Sequence, residues 1–155
     1  MQKLTRRSLL APDVYRESLE RVEKLSPDAR PQWGRMTAAQ MLAHCAEVQE
    51  VVNGRKPLRN TPLIARLLKG MIRRMVVGEK PYPRNTRTHP QYRQDEERDF
   101  DTEKKRLLDA LAEFTAADRR RLESIPHPLF GLMTAEEKGW SMYKHLDHHL
   151  AQFGL

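Results

Sequence analysis

The chain of 155 residues has one cysteine, 6% aromatic residues and no long apolar run. A single cysteine, Cys45, excludes an intrachain disulfide, and the lack of a run of about 18 apolar residues excludes a membrane-spanning helix. The stretch before residue 20 has only Leu9, Leu10 and Ala11 as an apolar run, which is too short for a signal peptide, so we expect a cytoplasmic protein. Few aromatic side chains mean few stacking platforms for single-stranded nucleic acid.

The remaining composition is typical of a folded globular protein. Apolar residues make up 39% and charged residues 32%, with a mean hydropathy of −0.76. These values argue against a mainly disordered chain, and the length predicts one domain over residues 1–155.

Positive charge is concentrated in one segment. The net charge is +7, yet residues 55–93 alone contain eleven Lys or Arg, one acid (Glu79) and five of the ten prolines. This pattern predicts a short helix between two loops, inserted between longer helices. A basic segment can bind phosphates of nucleic acid or an anionic membrane surface, although a solvated polar face is commoner. No helix-turn-helix, zinc-finger or RNP pattern accompanies it, so we do not expect nucleic acid to be a partner.

Helix start and stop signals recur along the chain. The capping-box patterns TAAQ at 37–40 and TAEE at 134–137 predict two helix starts, and Asn53–Gly54 predicts the end of the first of these helices. Pro12 suits a first helical position, and Ser26–Pro27 should stop that helix.

Apolar spacing, together with acidic residues near a helix start, predicts three further helical stretches. They are a helix from Thr61–Pro62 to about Met75, a helix that begins near Asp95–Asp99, and a short turn at 116–123. The Leu, Ile and Met stripe at 63–75 can pack on a second subunit as a homodimer, although such a stripe is more often core. No stretch alternates with period two. The sequence therefore predicts an all-α bundle of four to five helices.

The histidines carry the strongest functional signal. His145 and His149 are four residues apart, so on a helix both imidazoles lie on one side at the edge of the apolar face and can bind one metal ion. His148 lies further round and is a weaker ligand candidate. His44, on the edge of another apolar stripe, is the candidate for a third ligand. The alternative is a pair of solvated histidines that only offset the helix dipole.

Several other residues are candidates for a surrounding pocket. Gln152 continues the stripe of His145 and His149, and His148, His127 and Trp140 are further pocket candidates. Glu47 is a weak candidate for a general base, because it follows His44 by three residues but can equally be a surface acid.

Three segments resemble a known family. HPLFGLMTAEEKGWSMYKHLDHHLAQFG at the end of the chain, WGRMTAAQMLAHCAE around His44 and GEKPYPRNTRT in the middle are similar to a bacterial domain-of-unknown-function family, a divergent branch of the DinB/YfiT-like metalloenzyme superfamily. The resemblance implies a DinB-like four-helix bundle, here with an extra short helix and a proline-rich basic insertion. It also implies a divalent metal held by His44, His145 and His149. Many relatives have Arg after the last histidine, where this chain has Leu150.

The implied function is a metal-dependent enzyme with an open three-histidine site, of the hydrolase or thiol-dependent transferase type. We expect a small-molecule substrate and a divalent ion such as zinc, nickel, iron or manganese. The alternative is a non-catalytic helical binding protein, or a weak binder of nucleic acid or an anionic surface through residues 55–93.

Overall fold

The computed structural model describes residues 4–155, which fold into α-helices joined by loops. The helices are α1 (Pro12–Lys24), α2 (Ala38–Val52), α3 (Leu63–Leu67), α4 (Lys69–Val77), α5 (Phe100–Ala116), α6 (Arg119–Ser124) and α7 (Ala135–Gln152), with a 3-10 turn at Pro90–Tyr92. Within residues 4–155, β-structure is limited to an isolated antiparallel bridge between His127 and Gly131. Within the same residues no helix is both long and apolar enough to cross a bilayer.

The four long helices form the bundle. Helix α2 packs along α5 and against α7, and α1 contacts both α5 and α7. Their inward faces supply a core that includes Val22, Leu42, Leu111, Phe114 and Leu150, each at most 1% exposed. The predicted all-α four-helix bundle is confirmed, and α6 is the predicted extra short helix.

Both helices that carry the candidate ligands start with a capping box. At α2 the Gln40 N–H donates to Thr37 Oγ1 (3.2 Å), and the Thr37 N–H donates to Gln40 Oε1 (3.0 Å). At α7 the Thr134 and Glu137 pair makes the same two hydrogen bonds at 3.0 and 3.1 Å. The capping boxes satisfy backbone donors that the first helical turn leaves free, and so fix where each helix begins.

The insertion differs from its prediction in two ways. The helix predicted from Thr61–Pro62 onward is two helices, α3 and α4, which meet at Leu68, where φ is −90° and ψ is 10°. Its apolar stripe is not core, because neither α3 nor α4 contains a buried residue.

Helix α7 holds the ends of two shorter helices through buried lysines. The Lys144 ammonium donates to the carbonyl oxygens of Met75 (2.6 Å) and Gly78 (2.9 Å) at the end of α4. The Lys138 ammonium donates in the same way to Leu122 and Ile125 at the end of α6. A cation is favourable at a helix C-terminus, where carbonyl groups lack helical partners. Burial lowers the pKa of Lys144 to about 8.

Two glycines within helices provide a matched stability test. A Cβ on Gly139 of α7 would overlap Ser8 Oγ and lie 3.2 Å from Leu10 Cγ, whereas a Cβ on Gly70 of α4 would meet no atom within 4 Å. We expect Gly139→Ala to lower the free energy of unfolding by about 1–3 kcal/mol through overpacking. Gly70→Ala should raise it by about 0.5–1 kcal/mol through helix propensity. Urea unfolding measures the change in the free energy of unfolding for both variants. A change of the same sign in both would contradict the close packing at Gly139.

Candidate metal centre

Three histidines from two distant parts of the chain converge on one point. His44 lies on α2, and His145 and His149 lie one turn apart on α7. The ring centroids are 4.6 Å apart for His44 and His149, 4.8 Å for His145 and His149, and 5.1 Å for His44 and His145. One ring nitrogen from each histidine lies within 4.8 Å of the others, so the group can hold a metal ion. His44 therefore lies next to the C-terminal pair, and binding of a metal ion by these three histidines stays a prediction.

The orientation of His44 is set by the backbone of the 3-10 turn. Its Nδ1 lies 2.8 Å from the Tyr92 carbonyl oxygen. A carbonyl oxygen only accepts, so Nδ1 carries the proton and donates. The lone pair of the neutral ring is then on Nε2, which lies 3.0 Å from His145 Nε2.

A two-step hydrogen-bond chain orients His149. The Gln152 Nε2 donates to the Trp33 carbonyl oxygen (2.7 Å), which turns Gln152 Oε1 toward His149 Nδ1 at 3.0 Å. His149 Nδ1–H therefore donates to Gln152, which leaves Nε2 free as a ligand atom. Metal-binding histidines in proteins usually make this kind of hydrogen bond with their second nitrogen.

All three rings favour the neutral form that metal binding requires. Burial, followed by the nearby His44, lowers the pKa of His149 to about 3. Burial also holds the pKa of His145 well below its usual range and lowers the pKa of His44. Only 4% of His44 is exposed. A neutral imidazole is the ligand form, so no proton has to leave at neutral pH before an ion binds.

The donor set fits a divalent transition metal. Two nitrogens bound to one zinc ion at 2.0–2.1 Å with tetrahedral angles lie roughly 3.3 Å apart. The 3.0 Å between His44 Nε2 and His145 Nε2 is within a few tenths of that separation. Three imidazoles with a free coordination position are typical of catalytic sites, whereas structural sites have four protein ligands.

His148 is next to this centre without belonging to it. Its ring centroid is 5.9 Å from that of Trp33, 5.6 Å from that of Tyr82 and 5.2 Å from that of His149. Arg84 lies over the Trp33 ring at 4.2 Å. We call Trp33, Tyr82 and His148 the aromatic rim. The role of His148 in a pocket stays a prediction.

The other two pocket candidates make different contacts. Trp140 is 2% exposed, stacks on Tyr143 and donates from Nε1 to the Val77 carbonyl oxygen, so it packs α4 against α7. His127 Nδ1 accepts from the N–H groups of Leu129 and Phe130 in a turn. Their role in a pocket stays a prediction.

Glu47 lies in an ion-pair cluster between α2 and α5. Its carboxylate accepts from Lys56 (2.7 Å), Arg106 (2.5 Å) and the Gln91 amide (3.1 Å). Although burial acts against it, these contacts hold the pKa of Glu47 below its usual value. A carboxylate with these partners is a poor base, so the general-base role stays a prediction that the geometry does not favour.

Sequence reasoning named Gln152 as a pocket candidate but missed two backbone groups that orient the site, the carbonyls of Tyr92 and Trp33. Backbone atoms leave no signature in residue type. Gly34 is the one signal available. It has φ of +82°, and a Cβ there would lie 2.5 Å from Gln152 Nε2, so a glycine keeps room for the Gln152 side chain.

The hydrogen bond to His149 is testable with two buried glutamines. Gln152→Leu should weaken divalent-metal affinity by about 10- to 100-fold, because His149 loses the acceptor that orients it. Competition with a chromophoric chelator measures this affinity. Gln49→Leu is the control, since Gln49 is equally buried but donates to Asn53 in another part of the bundle. Equal loss in both variants would contradict the role of Gln152.

Comparison with known proteins identifies the family of the chain. No curated protein and no solved structure matches the chain. The family model of the DinB superfamily matches residues 10–153. Because that match covers most of the 155 residues, the chain belongs to the DinB superfamily.

Proposed function

We propose that the protein is a divalent-metal-dependent enzyme that acts on a small molecule, as a hydrolase or a thiol-dependent transferase. One observation carries this proposal: three neutral imidazoles, two of them oriented by hydrogen bonds to their second nitrogen, present ring nitrogens to a common point.

The residues of the chain have separate tasks in this proposal. His44, His145 and His149 would hold the ion. The Tyr92 carbonyl keeps the proton of His44 on Nδ1, and Gln152 keeps the proton of His149 on Nδ1. These hydrogen bonds fix the rings in advance, so that metal binding does not require them to reorient.

A divalent ion in this site supplies positive charge that lowers the pKa of a water or thiol brought to it. Zinc, nickel, iron and manganese are candidates, because geometry and availability as well as affinity decide which ion occupies a site of nitrogen ligands.

The aromatic rim is where we expect a substrate to lie. His148 adjoins His149 and contacts Trp33, and Arg84 lies over the Trp33 ring. Apolar ring faces bind the body of a small molecule and exclude water, while polar groups fix its orientation. Glu47 is not part of this proposal, because Lys56, Gln91 and Arg106 already occupy its carboxylate.

The test combines metal content with two kinds of reaction. Protein made without a histidine tag is analysed for bound metal, then stripped with a chelator and reloaded with each candidate ion. Each form is assayed for hydrolysis of a panel of aryl esters and amides, and for consumption of small thiols in the presence of electrophiles. We expect turnover in a metal-bound form and none in the stripped form. About one ion per chain without any turnover would favour the non-catalytic binding protein, and absence of stoichiometric metal binding would reject the site.

A further inference from the structure

Helices α3 and α4 expose a contiguous apolar surface. Across residues 4–155, six large hydrophobic side chains are exposed, and five of them belong to one short stretch: Leu63 (71%), Ile64 (61%), Leu67 (72%), Leu68 (40%) and Met71 (67%). The sixth is Leu132. We call the five residues the 63–71 patch. Contiguous apolar surface on a soluble protein indicates a binding face.

The patch is surrounded by cations that have no acidic partner. Arg66, Lys69 and Arg74 are exposed, and within the described chain none of them forms an ion pair. The neighbouring cations Arg55, Lys56 and Arg73 are instead paired with acids elsewhere in the bundle. From residue 51 to 78 the sequence has no Asp or Glu. The surface is therefore both apolar and positive.

The opposite side of α4 is fixed to the bundle. Arg73 pairs with Glu137 at 2.7 Å, Lys144 donates to the carbonyls of Met75 and Gly78, and Trp140 donates to that of Val77. These contacts hold the inner side of α4 on α7. The Arg74 and Met71 side of the helix therefore stays on the outside and is not available to complete the core.

Charge decides between the possible occupants of this face. In a two-fold contact with a second copy, the patch would meet its own equivalent, and the same unpaired cations would oppose one another with no nearby acid. Nucleic acid would neutralise the cations but leave five apolar side chains without a partner. An anionic bilayer surface can bind the apolar side chains and the cations together. The apolar side chains would lie at the acyl boundary and the cations among the lipid phosphates.

We propose that the 63–71 patch docks the protein on an anionic lipid surface, with Arg66, Lys69 and Arg74 as its phosphate contacts. Each basic residue near such a surface changes partition by roughly five-fold, so the loss of all three should weaken binding by about 100-fold. Binding should also fall as salt increases, because the lipid surface potential is screened within about a Debye length.

Vesicle flotation tests this inference. The full chain is mixed with vesicles of phosphatidylcholine alone or of phosphatidylcholine and phosphatidylserine at 7:3, at low and high salt. Variant one is Leu63→Ser with Leu67→Ser. Variant two replaces Arg66, Lys69 and Arg74 with Gln. All five side chains are exposed, so we expect both variants to fold and to keep the metal content of the parent.

Matched controls use exposed residues elsewhere. Leu132→Ser removes an equally exposed leucine, and Gln in place of Arg16, Arg30 and Arg120 removes the same net charge. We expect flotation with the phosphatidylserine vesicles only, at least ten-fold weaker in both patch variants and unchanged in both controls.

Three results would overturn the inference. The first is equal or absent binding to the two kinds of vesicle. The second is equal loss of binding in patch and control variants. The third is a dimer in light scattering that Leu63→Ser with Leu67→Ser dissociates, which would assign the face to a second copy. Metal content is read from the same samples, so failure of lipid binding is distinguishable from failure of the metal site.

Discussion

Replacing His149 with alanine should reduce bound divalent metal from about one ion per chain to near zero. His149 has one of the three ring nitrogens that lie within 4.8 Å of one another and could hold the ion. Loss of a group that only orients a ligand typically weakens metal affinity by roughly 10- to 100-fold. Loss of a ligand itself should weaken it by more. Elemental analysis of protein made without a histidine tag measures the effect.

The adjacent histidine is the control for this experiment. His148→Ala removes the same side chain one position away, and His148 lies in the aromatic rim outside the three-histidine group. We expect His148→Ala to retain the metal, while His44→Ala loses it as His149→Ala does. If His44→Ala retains the metal, His44 on α2 does not bind the ion, and the proposal of one ion shared by α2 and α7 is refuted.

Metal-free protein should lose much of its stability between pH 7 and pH 5. Burial lowers the pKa of His149 to about 3 and that of His127 to about 4, and it holds the pKa of His145 well below its usual range. These rings stay neutral in the folded state while they take up protons in the unfolded state. The folded state is therefore favoured above pH 6.5, and this advantage disappears as the pH falls towards the folded pKa values.

The expected size follows from the lowered pKa values of His127 and His149 in the folded state. At pH 5 each of His127 and His149 should lower the free energy of unfolding by about 2 kcal/mol relative to pH 7. With His145 the total is several kcal/mol, a large part of the roughly 5–15 kcal/mol of a typical domain. Urea unfolding at a series of pH values measures it.

His127→Asn gives this prediction its internal control. An asparagine oxygen can accept from the Leu129 and Phe130 N–H groups as His127 Nδ1 does, but it does not titrate. Between pH 7 and pH 5 the variant should therefore lose about 2 kcal/mol less free energy of unfolding than the parent, whatever its stability at pH 7. An unchanged slope would contradict a neutral, buried His127.

The helices and the ligand pair could be predicted because their signals are local. The capping boxes at Thr37 and Thr134 and the i, i+4 spacing of His145 and His149 depend on residues within one or two turns. The third ligand, His44, followed from its place at the edge of an apolar stripe and from the family resemblance.

Other features could not be predicted because they depend on tertiary contacts. Gly70 lies two residues after the break at Leu68, but an isolated glycine within a helical pattern does not by itself predict a break. Apolar spacing in the insertion does not tell whether another element covers that face. The acceptor for His44 is a backbone carbonyl from a residue 48 positions away. Glu47 is an acid one turn after a ligand, and only the packing of α5 showed that Arg106 lies against it.

The two halves of the metal centre are 101 residues apart in the chain. An ion bound to both would act as a covalent cross-link does, because it would close a loop of that length and reduce the entropy of the unfolded chain. By the loop-closure relation for disulfides, a tie across about 100 residues is worth at most about 4.7 kcal/mol. In a protein with one thiol, an ion bound at this centre would thus also hold α2 and α7 together.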